Sequence, residues 1–215
     1  MSVESIMESG TVTATASSFV EYAAGGRRRR TEIVTAAHER EDEPEHYGRV
    51  FYVPILRAIR AAARSDDPAA VLAEATAAAE LNGQPRAFAE VSDGFLAWWR
   101  GARRTAVHCR STVVRVGELN VAVAPHLAVR DRAGETHTVL FHLKEAPLTR
   151  DAANAALRLM AVCAGDLLPG AHPLVVDLRR AREYRLPRNT NTTTLDAWLT
   201  AEASAYTTHW HTTAP

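Results

Sequence analysis

The stretch Val113–Lys144, VVRVGELNVAVAPHLAVRDRAGETHTVLFHLK, decides the fold. Val, Thr and Leu dominate it, apolar and polar residues alternate with period 2, and Gly117 and the turn Asp131-Arg132-Ala133-Gly134 punctuate it. With the flanking residues it predicts three consecutive strands, Val107–Val116, Leu119–Arg130 and Glu135–Lys144. It closes on a lysine, although Lys and Arg together number 25 and all but this one are Arg. A single compact ammonium at the mouth of a buried strand makes Lys144 the first candidate for chemistry.

Working outward, Thr149 caps a predicted helix whose inner face is Ala152, Ala153, Ala156, Leu159, Met160 and Cys163, ending near Gly165. Pro173–Leu178 is an apolar run closing on Asp177, the pattern of a strand covered on both faces. After Arg188 come Asn-Thr repeats, a last helix capped by Thr194 with Leu195, Trp198 and Leu199 inward, and a disordered tail around His209-Trp210-His211. Upstream, a helix starting near Pro85 buries Phe88, Val91, Phe95 and Trp98 or Trp99. Before it, Tyr52, Ile55, Leu56, Ile59 and Ala63 recur at helical spacing with Arg57, Arg60 and Arg64 opposite, and Asp67-Pro68 restarts a further helix. A short helix follows Ser17 or Ser18, and Arg27–Arg30 precede a helix over 31–40 and an acidic run, Glu39–Glu45. The expected organisation is a flexible end (1–16), a helical region (17–84), an αβββαβ core (85–188), and a C-terminal helix and tail (189–215). The fold class is mixed α/β, in the α+β sense.

The order αβββαβ, with a lysine closing the third strand, resembles the PD-(D/E)XK nuclease superfamily, the restriction-endonuclease-like fold with a mixed sheet. That family's motif is Pro-Asp on the second strand and, after a spacer, an acid, any residue and a lysine on the third. Pro125-His126 and His142-Leu143-Lys144 stand at those positions. The resemblance implies a site at His126, His142 and Lys144. In the family the two acids hold Mg²⁺ and the lysine orients the attacking water and stabilises phosphate charge.

Here both acid positions are histidines. Magnesium or manganese would need carboxylates that have migrated, for which Glu118, Glu145 and Asp177 are candidates, with Glu90 or Asp93 on the preceding helix. His126 and His142 could instead contribute to a softer ion such as Zn²⁺. Strand parity adds a condition. A four-residue turn at 131–134 would set His126 opposite Val139, on the wrong face; an odd turn or a bulge at Pro125 would bring it beside His142 and Lys144.

Net charge is zero, so any DNA or RNA contact must come from local clusters. The densest is Arg179, Arg180, Arg182, Arg185 and Arg188, with Glu183 the one acid among them. Cys109 and Cys163 show no metal or redox spacing, the first residues are acidic and lack an apolar signal segment, and no run reaches the roughly 18 residues of a membrane span. These features predict a cytoplasmic protein, and the Arg-for-Lys usage with abundant Ala fits a GC-rich bacterial gene. The expected function is nucleic-acid association with a degenerate nuclease site. The alternatives are an active metal-dependent phosphodiesterase and a protein-interaction module.

Overall fold

The computed structural model describes residues 11–42, 51–101 and 103–213. The first ten residues and part of the acidic run, residues 43–45, lie outside that set. Eight strands and eight α-helices follow in the order β1 (Thr13–Thr15), α1 (Ala16–Ala24), α2 (Arg27–Asp42), α3 (Val53–Ala62), α4 (Pro68–Ala77), α5 (Gln84–Gly101), β2 (Thr105–Val107), β3 (Thr112–Val116), β4 (Leu119–Val123), β5 (Leu127–Arg130), β6 (Thr136–His142), α6 (Arg150–Val162), α7 (Ala164–Leu167), β7 (His172–Asp177), β8 (Arg182–Tyr184) and α8 (Thr192–Thr213) among the described residues.

The first two predicted strands are each broken in two. Residues 108–111 separate β2 from β3, and Ala124-Pro125-His126 separate β4 from β5. Pro125 has no N–H to give a ladder, so pairing stops there. The hairpin consequently contributes to two sheets. One is β1-β4-β3; the other is the mixed sheet β2-β5-β6-β7-β8, in which β6 and β7 are parallel and the remaining neighbours antiparallel.

Helices cover both faces of the larger sheet. Leu140 and Val175 point toward Phe19 and Val20 of α1, Leu157 and Met160 of α6, and Tyr206 of α8. Val139, Phe141, Leu174 and Val176 point toward Ile55 and Ile59 of α3, Leu72 of α4, and Phe88, Val91 and Phe95 of α5. The alternation along β6 and β7 thus sorts two apolar cores to opposite sides, as buried strands require. On the second side α5 passes so close to the turn after β7 that a Cβ on Gly94 would overlap the Leu178 carbonyl. Only glycine fits there.

Local stops and starts behave as their chemistry dictates. Asp67 accepts from the Ala70 amide at 3.1 Å with Pro68 in the first turn of α4, and Thr149 accepts from the Ala152 amide at 3.2 Å to cap α6. Other expectations change. Thr15, not Ser17 or Ser18, caps α1, accepting from the Ser18 amide at 3.1 Å. Residues 13–15 are not a flexible end but pair in parallel with β4, which buries Ala14 and Ala16. Arg27–Arg30 lie inside the first turn of α2, an unfavourable place for cations that Glu21, Glu32 and Glu202 offset by ion pairs. The region 17–84 is not a separate unit, since α1 joins α6 and α8 on one face while α3 and α4 join α5 on the other. At the other end, Asn191 rather than Thr194 caps α8, and the helix continues through 209–211, with Trp210 stacked on His38 at 3.7 Å between ring centroids. No helix of the described residues is long and apolar enough to cross a membrane.

Candidate functional site

The register of β5 on β6 decides where His126 goes. Arg130 pairs with Thr136 and Leu127 with Val139, leaving residues 131–135 as the connection. This is the odd count that parity required, and Glu135 is turn rather than strand. Immediately beyond, β5 ends and the ladder changes hands. His126 donates its backbone N–H to the Val139 carbonyl at 2.8 Å, and its ring Nδ1 accepts from the Phe141 amide at 2.8 Å. The imidazole thus fills the place that the next carbonyl of β5 would have taken.

This contact has an electronic consequence. Nδ1 accepts, so the proton of the neutral ring sits on Nε2. Burial pushes the His126 pKa down to about 4, and the nearby Arg60 guanidinium pushes the same way. His126 is therefore neutral at ordinary pH and occupied in completing the sheet.

His142 is the last residue of β6 and Lys144 follows two positions beyond it. A cavity of about 340 Å³ opens there, with His126, His142 and Lys144 all in its wall. The lining continues with Leu140, Leu148 and Ala152 from the core elements, and with Val20, Glu21 and Arg29 from α1 and α2. Lys144 forms an ion pair with Glu21, 123 residues earlier in the chain, and the other Glu21 oxygen meets Arg29 at 3.0 Å. Burial lowers the Lys144 pKa. His142 donates from Nε2 to the Ala146 carbonyl at 2.7 Å, which leaves its Nδ1 as an acceptor.

Glu21 is the one carboxylate lining this cavity among the described residues. Glu118 is exposed at the β3–β4 turn and is not part of the wall. Glu145 pairs with Arg86 at 3.2 Å on the surface. Asp177 lies beside His142 in the β6–β7 register but is fully buried, accepting from the Leu148 amide at 3.2 Å and from Arg180 at 3.2 Å. A hard divalent cation needs several oxygen ligands. A single carboxylate already shared by a lysine and an arginine, with two imidazoles engaged in the fold, does not fit that need.

The arginine cluster does not assemble into one patch. Arg179, with a side chain only 8% exposed, pairs with Glu90 and donates to the Leu143 carbonyl at 2.8 Å, bracing the segment before Lys144 from the α5 side. Arg180 reaches Asp177 and, at 2.6 Å, the Glu145 carbonyl. Arg182 lies over the Tyr184 ring at 4.9 Å, and Arg185 pairs with Glu183 at 3.4 Å. Sequence reasoning missed both the short turn Leu178–Arg180, which carries Arg179 and Arg180, and the strand β8, which holds Arg182 and ends just before Arg185, so each guanidinium finds a separate partner.

Two further groups emerge only in three dimensions. Asp131, Glu135 and His137 bring donor atoms within 4.8 Å of one another at the β5–β6 turn. His137 Nε2 meets Asp131 at 3.3 Å, Nδ1 faces Arg185 at 3.5 Å, and Asp131 also accepts the Glu135 amide at 3.0 Å. That network links the turn to Arg185, the residue after β8, with one ring nitrogen of His137 facing Asp131 and the other facing Arg185. The second group surrounds a cavity of about 270 Å³ at the double strand break, lined by Arg60, Arg64, His108, Cys109, Arg110 and Ser111 and, from the other strand, by Pro125 and His126. The helical spacing of Arg60 and Arg64 was legible in the sequence; their meeting with Arg110 was not.

No protein-family model matches this chain, and no curated protein matches it.

Proposed function

We propose that this protein associates with nucleic acid through a restriction-endonuclease-like core whose nuclease site is degenerate, so that it binds or scaffolds without cutting. The element order from α5 to β7 and the mixed sheet clasped between helices support the restriction-endonuclease-like assignment. One observation carries the functional reading: His126 from the break between β4 and β5, His142 at the end of β6 and Lys144 just beyond it meet at one cavity whose wall holds a single carboxylate among the described residues. The cation that orients phosphate chemistry in such sites is retained, and the ligand set for magnesium is not. The nucleic-acid part draws on cations beside the cavity. Arg29 stands in its wall, and the exposed Arg27 and Arg28 extend from the same helical turn.

The test is one titration and one gel. Labelled single- and double-stranded DNA and RNA are mixed with wild type and Lys144→Ala in Mg²⁺, Mn²⁺ or EDTA. The expected result is a salt-sensitive complex, weakened in the variant, without products. Metal-dependent products that vanish in the variant would overturn this reading in favour of a phosphodiesterase. Neither complex nor products would leave a protein-interaction module.

A further inference from the structure

The cavity at the strand break is lined by three arginines and, among the described residues, by no acid. Arg60 and Arg64 stand one turn apart on α3, and Arg110 comes from the segment between β2 and β3. Among the described residues the wall contains no carboxylate, and none of the three guanidiniums forms an ion pair. Arg60 Nε donates to the His126 carbonyl at 2.8 Å and Arg64 to the Arg60 carbonyl at 3.1 Å, contacts that leave both charges without a carboxylate partner. Elsewhere Arg28, Arg29, Arg30, Arg86, Arg104, Arg158 and Arg179 meet carboxylates, while Arg27, Arg57, Arg115, Arg130 and Arg150, like these three, form no ion pair among the described residues; what marks this cavity is that three such arginines line one concave wall. Three guanidiniums without a carboxylate partner around a concave space give it a positive potential that favours an anion there.

The geometry points to a phosphate-binding site formed by Arg60, Arg64 and Arg110, with His108 and Ser111 at its rim. Planar guanidiniums bind phosphate oxygens in pairs, and a volume of about 270 Å³ admits a phosphate or diphosphate group with its water. The site lies across His126 from the Lys144 cavity, since His126 lines both. The carrier of the phosphate is assigned on the reading above, as a nucleic-acid backbone; the site itself does not depend on that reading. Cys109 reports on occupancy, because it lines the cavity whereas Cys163 is buried under α6.

The experiment uses the full chain as wild type, the double variant Arg64→Ala/Arg110→Ala, and Arg57→Ala as a control for charge alone. Arg60 is kept because it holds the His126 carbonyl. Alkylation of Cys109 is followed with and without pyrophosphate, and labelled oligonucleotide binding is measured over a salt series; thermal melts verify folding. The expected result is saturable protection of Cys109 by pyrophosphate in wild type and Arg57→Ala but not in the double variant. With it comes a salt slope for the oligonucleotide lower by about 2 in the double variant, one for each lost phosphate contact. Pyrophosphate protection without oligonucleotide binding supports the site with a small phosphorylated molecule as its ligand, and overturns the nucleic-acid reading instead. Oligonucleotide binding unchanged in the double variant, with no pyrophosphate protection, overturns the site and leaves that reading standing. No protection and no oligonucleotide binding overturns both.

Discussion

Two cavities share His126 and have opposite electrostatic designs. The one past the end of β6 is compensated: Lys144 and Arg29 are both satisfied by Glu21, within walls built largely from core aliphatics. The one at the strand break is uncompensated, with Arg60, Arg64 and Arg110 facing no acid among the described residues. The difference teaches that a ligand must displace an internal carboxylate to use the first cavity, whereas the second is open to an anion directly. It also shows why zero net charge says little about local fields.

The dividing wall is the place to break the comparison. His126→Leu removes the acceptor of the buried Phe141 amide and should cost about 3 kcal/mol in urea unfolding, blurring both cavities at once. His126→Gln, which keeps an acceptor, should cost clearly less; equal losses would mean that packing, not the ring-to-amide bond, holds the wall.

Acid acts on the same ring. Unfolded, a histidine titrates near 6.5, whereas His126 in the fold is held down to about 4. Between these values the unfolded chain binds more protons, so stability is lost as pH falls from about 6.5 toward 4, by about 2 kcal/mol. The slope should flatten in His126→Gln, and an unchanged slope would assign the acid sensitivity to other groups.

Glu21→Gln sharpens the contrast by turning the first cavity into a second uncompensated one. Oligonucleotide affinity should rise by a factor of roughly 3 to 10, with a steeper salt dependence. A drop in affinity would show that the carboxylate contacts the ligand or holds α1 in place. The smallest effect belongs to folding: Lys144→Ala breaks a half-exposed ion pair and should shift stability by about 0.5 kcal/mol. A loss several times larger would make Lys144 a structural anchor and weaken its functional assignment.

Legibility divided along the same line. The strand-rich stretch and the caps at Asp67 and Thr149 follow from local patterns, because periodicity and capping act over a few residues, whereas the five-residue connection 131–135 in place of the four-residue turn was set by the pairing of β5 on β6. The interruptions at 108–111 and 124–126 were only hinted at by Pro125, since a strand break depends on what its neighbour can pair with. Arg179–Arg185 looked like one basic patch because sequence shows density and not direction. Separate partners, Glu90 for Arg179, Asp177 for Arg180, the Tyr184 ring for Arg182 and Glu183 for Arg185, disperse it.

By itself, then, the sequence determined the αβββαβ outline of residues 85–178, the two apolar faces of β6, and Lys144 as the close of the third predicted strand. Only the tertiary structure decided what those groups face. Glu21 reaches Lys144 across 123 positions, and Arg60 and Arg64 meet Arg110 through the packing of α3 beside a broken hairpin. The physical reason is range: backbone preferences act between near neighbours in the chain, while the partner of a charge is set by whichever surfaces the apolar cores bring together.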